Sequence, residues 1–246
     1  MGQTYHILNG DALKAQLLQV IQGTQIVMRE CLVDGCVEGE NLDEFFKVRA
    51  KFIAQDYEGY TEADYHHKTA PELQKLFQIP QNAEIVFWFE DDLFCQVNFW
   101  FAFHHIKKSN SNSSLFLVRP PKHTQYGFCG LGEAELVNVY QQRIALKEQL
   151  AELASLWKYY QLGELQALRE VAISVERNYP FILPAVQAHL DRIPSANSLG
   201  RPTETLIQIK RELNTNDFGE IFREFCKRES IYGFGDLQMK QLLDGL

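Results

Sequence analysis

The residues best suited to chemistry in this 246-residue chain stand where apolar, β-branched runs break into polar groups. Tyr5-His6-Ile7-Leu8 runs into Asn9-Gly10-Asp11, and Glu84-Ile85-Val86-Phe87-Trp88-Phe89 runs into Glu90-Asp91-Asp92. At the carboxyl ends of parallel strands such residues line the ligand crevice, and they meet in one place if the first strand lies beside the third. Asp11, Glu90 and Asp92 are then the candidate acid–base residues, with Asn9, Gly10 and Asp91 as ligand contacts. Gly10 lets the backbone turn sharply toward a ligand. Glu90 and Asp92 could also hold Mg²⁺ or Mn²⁺, which would neutralise a substrate phosphate.

Helix capping offers a plainer account, because an aspartate at a helix start satisfies free N–H groups and the helix dipole. It explains one acidic residue per helix. It leaves unexplained three in a row after a buried strand, where like charges repel unless a cation or solvent relieves them. Gln96, four residues after Asp92 on the same helix face, could hydrogen-bond a sugar or a base edge, or serve only as a helix polar residue. Arg29 and Glu30 end the second strand, and Arg49 sits among Phe45, Phe46 and Phe52. Such an arginine could clamp a carboxylate or phosphate bidentately, although a surface ion pair is the commoner arrangement and the favoured expectation.

Other patterns carry less. The histidine pairs His66-His67 and His104-His105 lack the i, i+4 spacing of a helical zinc site, and Cys31 and Cys36 have no matching second pair. Cys95 on a helix reads as packing. Gly127-Phe128-Cys129-Gly130-Leu131-Gly132 lacks the order of a phosphate-binding loop and reads as a flexible hinge. No P-loop or G-x-S-x-G motif occurs.

The elements that position these residues follow from periodicity. Strands are expected near Thr4–Leu8, Gln25–Met28, Ile85–Phe89 and Leu115–Val118. Helices are expected through Leu13, Leu17, Val20 and Ile21, at Leu42–Gln55, at Pro71–Phe77 and at Leu93–Lys107, with Tyr57–Lys68 as loop and Ser109–Ser113 as a turn. The alternation predicts an α/β protein with an open, mostly parallel sheet of about four strands, Rossmann- or flavodoxin-like. From Glu133 the spacing turns helical, with segments at Glu133–Tyr160, Leu162–Val175, Phe181–Arg192, Thr203–Asn214, Phe218–Lys227 and Gly235–Leu243. The expected organisation is an α/β domain over 1–125 and a helical domain over 133–246, in which 200–246 has a winged-helix-like pattern.

Composition bounds the partners. A net charge of −8 argues against general attraction to nucleic acid, and residues 200–246 carry no basic excess, with seven Lys or Arg against eight Asp or Glu. Five scattered cysteines read as reduced thiols. The absence of an apolar signal core after Met1 and of a membrane-length apolar run leads to the expectation of a cytoplasmic protein.

Several phrases together resemble an uncharacterised bacterial family, domain of unknown function 1835 with a helical C-terminal companion. They are Ile7-Leu8-Asn9-Gly10-Asp11, Arg29-Glu30-Cys31-Leu32-Val33-Asp34-Gly35, Val48-Arg49-Ala50-Lys51-Phe52, Trp88-Phe89-Glu90-Asp91-Asp92-Leu93-Phe94-Cys95-Gln96-Val97-Asn98 and Ile231-Tyr232-Gly233-Phe234-Gly235-Asp236. The resemblance implies the two-part organisation and no activity. The residues lead to an enzyme acting on a phosphorylated or nucleotide-like small molecule. The alternatives are a non-catalytic ligand-binding or scaffold protein with a protein partner or a second copy, and a transcriptional regulator using the C-terminal helices.

Overall fold

Short apolar runs form the sheet, because β-branched and aromatic side chains pack well on a pleated surface. The computed structural model describes residues 3–17, 20–110 and 112–246. In it β1 (Thr4–Leu8), β2 (Thr24–Val27), β3 (Glu84–Trp88) and β4 (Ser114–Val118) are parallel. A fifth strand, β5 (Ile144–Ala145), pairs antiparallel with β4, and the order is β2-β1-β3-β4-β5. The expectation of about four strands is thus corrected to five. β1 does lie beside β3, with Leu8 in register with Trp88, so the chain reverses its direction of winding between them.

Side chains alternate across the strands and build two apolar layers. Leu8, Val86, Trp88 and Val118 face α1 (Asp11–Leu17) and α6 (Glu133–Gln141), which contribute Leu13, Leu17, Leu136 and Val139. Ile7, Ile85, Phe87 and Leu117 face the opposite way, toward α2 (Leu42–Asp56) and α5 (Leu93–Ser109). That second layer continues through α7 (Leu150–Gln161), α8 (Leu165–Val175), α9 (Ile182–Asp191), α10 (Arg201–Leu213), α11 (Phe218–Arg228) and α12 (Asp236–Asp244), ending at Met239. The helices after residue 133 therefore share a core with the sheet. α5 is buried on nearly all sides, from Leu93 to Ile106, as a helix held between a sheet and other helices must be.

Three local expectations change. The stretch Tyr57–Lys68, read as loop, is helical from Glu62, and α3 (Glu62–Asp64) leads through a π-helical turn (Tyr65–Thr69) into α4 (Ala70–Gln74). A capping box explains the start, since the Thr61 hydroxyl accepts from the Asp64 N–H while the Asp64 carboxylate accepts from the Thr61 N–H. The single helix expected over Glu133–Tyr160 is divided into α6, β5 and α7. The free edge of β4 takes up the chain between those helices, and Leu146 N–H donates to Leu115 O at 2.9 Å. The described part of α1 covers Asp11–Leu17, and Val20 and Ile21 lie in no helix. Met1 and Ser111, which the expectations for the N-terminus and the Ser109–Ser113 turn include, lie outside the described residues. Among the described residues no helix is long and apolar enough to cross a membrane.

Candidate functional site

The loops after β1, β3 and β4 open at the carboxyl edge of the sheet into a cleft of about 1090 Å³. Asn9 enters from the first loop, Glu90 and Asp92 from the second, and Thr124, Gln125 and Tyr126 from the third. The opposite wall comes from far along the chain. It carries Phe222, Arg223, Cys226 and Lys227 of α11 and then Ser230, Gly233 and Phe234.

The three adjacent carboxylates are resolved by giving each a different partner. Glu90 accepts the Phe128 N–H at Oε1 (2.8 Å). Asp91 turns away and pairs bidentately with Arg119, whose guanidinium stacks 4.0 Å from the Phe181 ring centroid. Asp92 caps α5, accepting the Cys95 N–H at 2.9 Å. Arg119 neutralises Asp91, whereas Glu90 and Asp92 still repel each other, and the raised proton affinity of Glu90 is the result. Asp91 leaves the candidate ligand contacts.

Two glycines seal the carboxyls in. Gly127 (φ 49°) lies so close to Glu90 that a Cβ there would run into the carboxylate, and Gly233 (φ 63°) stands in the same relation to Asp92. Both backbones are left-handed, so glycine serves conformation and approach together. The resulting loss of solvent, and then the neighbouring Asp92, push the Glu90 carboxyl up to about 7. Burial likewise raises Asp92 and the Cys95 thiol. The segment Gly127–Gly132, read as a flexible hinge, instead opens with a tight helical turn over Gly127–Gly130 that supports Glu90.

Asn9 is held on both sides of its amide. Its Nδ2 donates to Cys95 Sγ (2.8 Å) and its Oδ1 accepts from Asn98 Nδ2 (2.9 Å), which also donates to Glu30 O (2.7 Å). Gln96 is wholly buried and donates to Glu90 O at 2.6 Å, so it positions the Glu90 backbone rather than touching a ligand. Donor atoms of Glu90, Asp92 and Cys95 lie within 4.8 Å of one another, and this is the one group among the described residues spaced to hold a metal ion. Two carboxylates and a sulfur form a mixed set, which suits Zn²⁺ better than the Mg²⁺ or Mn²⁺ expected from oxygen ligands.

Comparison with known proteins returns nothing. No family model matches the chain, and neither does any curated protein or solved structure.

The remaining candidates fall outside the cleft. Asp11 is paired bidentately with Arg29 (2.8 and 2.9 Å), which holds its carboxyl below the usual range, and it does not line the cleft. Arg49, expected in a surface ion pair, is instead fully buried and bonded bidentately to the equally buried Glu30 at 3.1 and 2.8 Å. Glu30 also accepts from Tyr65 Oη (2.6 Å) and the Cys31 N–H (3.0 Å). Arg49 does clamp a carboxylate, but the chain's own. Gly10 turns at φ 102° beside a second, smaller pocket.

Sequence reasoning missed the far wall. Among the described residues Arg223 makes no hydrogen bond or ion pair, and it lies one helical turn before Lys227 on the cleft-lining face of α11. His123 Nε2 and Ser230 Oγ are 2.9 Å apart, tying the loop after β4 to the end of α11. The i, i+4 spacing of Arg223 and Lys227 was the available signal. Its meaning depends on a fold that brings α11 over the ends of β1 and β3.

Proposed function

We propose that the protein is an enzyme acting on a phosphorylated or nucleotide-like small molecule in the cleft at the carboxyl ends of β1 and β3, with Glu90 moving the proton. The observation that carries this reading is Glu90 itself. A carboxyl raised to about 7 and opening on a cleft can both give and take a proton at neutral pH. Asp92 supports it by keeping that value high, and the Phe128 N–H fixes one oxygen so that the other remains for a ligand. Arg223 supports the phosphate assignment, since an unpaired guanidinium offers planar, bidentate donors to an anion. Glu220, Glu224 and Glu229 share that wall, and of these Glu224 and Glu229 are engaged by Arg228 and Arg201. The strand order supports a flavodoxin-like assignment for the sheet, which α6 and β5 complete, with the helices from α7 onward as the companion. The family resemblance adds no reaction to it.

The test is calorimetric binding of sugar phosphates and nucleoside phosphates to the wild type, Arg223→Ala and Glu90→Gln, followed by product analysis. The Arg223→Ala variant is expected to bind about 10- to 100-fold more weakly, the range of a charge-assisted hydrogen bond. Glu90→Gln should bind with little loss and turn nothing over. Binding by none of these compounds, or unchanged affinity in Arg223→Ala, overturns the reading.

A further inference from the structure

A second cavity of about 300 Å³ lies beside the first, and Asn9 and Phe94 line both. Its lining includes the aromatic residues Tyr57, Tyr60, Tyr65 and Phe94 with Ile53 and Leu237. The Tyr57 hydroxyl donates to Asp34 (2.8 Å) and the Tyr65 hydroxyl to Glu30 (2.6 Å), so the polar tips of these residues are spent on the protein. The charged groups on its wall are also spent. Arg29 pairs with Asp11, Lys68 with Asp64, and Glu30 with Arg49. The larger cleft, by contrast, has Arg223 unpaired and Glu90 opposite.

We infer that the two cavities form one bipartite site for a nucleotide, with the nucleobase in the small pocket, the phosphate toward Arg223, and Asn9 and Phe94 at the junction. This inference rests on the phosphorylated-ligand reading above and narrows it to a ligand bearing a planar ring. An apolar, aromatic-walled pocket with no free charge repels a phosphate and stacks a ring, because every base presents a π-face whatever its edge. The cleft next to it supplies the complementary half. Asn9 is pre-oriented at the boundary, since both ends of its amide are bound by Cys95 and Asn98, and it retains one N–H and one lone pair for the ligand.

The experiment compares the four ribonucleoside 5′-monophosphates with ribose 5-phosphate, by calorimetry, on the wild type, Tyr60→Ala, Leu237→Glu and Arg223→Ala. Tyr60 and Leu237 are 51% and 37% exposed, so both changes leave the core intact, and circular dichroism melts verify this. At least one nucleotide is expected to bind about tenfold tighter than ribose 5-phosphate, as loss of one stacking partner would imply. That excess should vanish in Tyr60→Ala and Leu237→Glu while ribose 5-phosphate binds unchanged, and Arg223→Ala should weaken both ligands. Equal binding of nucleotides and ribose 5-phosphate, or an excess that survives both pocket variants, overturns the bipartite site and leaves the phosphate reading standing. If neither class binds, both fall together.

Discussion

At the scale of the residue, Glu90 is the proposed proton carrier because its surroundings penalise its charge. The folded chain keeps a proton on Glu90 up to about pH 7, whereas the unfolded chain releases it near the ordinary value of 4.5. Between those values the native state binds more protons than the unfolded state, so Glu90's contribution to stability is present at low pH and is lost as pH rises through the window. Glu90→Gln removes the titration. Urea melts of wild type and variant at pH 5 and pH 8 should show the variant gaining in relative stability at the higher pH, with a slope no steeper than ~1.4 kcal/mol per pH unit, the limit for one proton. Parallel curves would mean that Glu90 titrates normally. Asp11 illustrates the opposite environment: exposed and paired with Arg29, its carboxyl is pulled down rather than up.

At the scale of the element, the start of α5 does two jobs with one side chain. Asp92 caps the helix through the Cys95 N–H and, by its charge, helps hold the Glu90 carboxyl up. The jobs separate by substitution, because an asparagine keeps the capping oxygen and discards the charge. Asp92→Asn should leave helix stability within about 1 kcal/mol and lower the Glu90 pKa, whereas Asp92→Ala should also lose a cap worth about 1 kcal/mol. Carboxyl NMR of Glu90 alongside thermal melts checks both; an unmoved Glu90 resonance in Asp92→Asn would remove Asp92 from the account. Elements of this kind were legible in sequence. Strand ends broke at Asn9 and Glu90, and the step from Asp92 to a helical pattern marked α5. The capping box at Thr61 and Asp64 is equally legible and marks the helix that starts at Glu62. β5 was not readable, because its two residues pair only through the edge of β4 and carry no apolar alternation of their own. The fate of Asp91, Asp11 and Glu30 was hidden for a related reason. Their partners Arg119, Arg29 and Arg49 are 28, 18 and 19 residues away, and only folding decides which arginine meets which carboxylate.

At the scale of the whole molecule, a buried polar network joins the sheet to the C-terminal helices and sets how the chain should unfold. Arg49 gathers Glu30 and the carbonyls of Cys31, Asp34 and Cys36, while Tyr160 Oη donates to Leu32 O (3.0 Å) from α7. Tyr57 donates to Asp34 and accepts from Gln238 of α12 at 2.8 Å. The loop after β2 is thus pinned by α2, α7 and α12 at once, next to the continuous apolar layer. Removing one member of a buried ion pair strands the other charge, at a cost of about 3–5 kcal/mol. Arg49→Met should therefore destabilise the molecule by that amount, and the double variant Arg49→Met, Glu30→Gln should recover part of the loss, since no uncompensated charge remains. Because the network and the core cross residue 133, the loss should appear in a single calorimetric transition, with hydrogen-exchange protection falling in β3 and α9 together. Retained protection in α9 after β3 has lost its own would show instead that the helices hold together without the sheet, and the cleft would then be a joint between two separable parts.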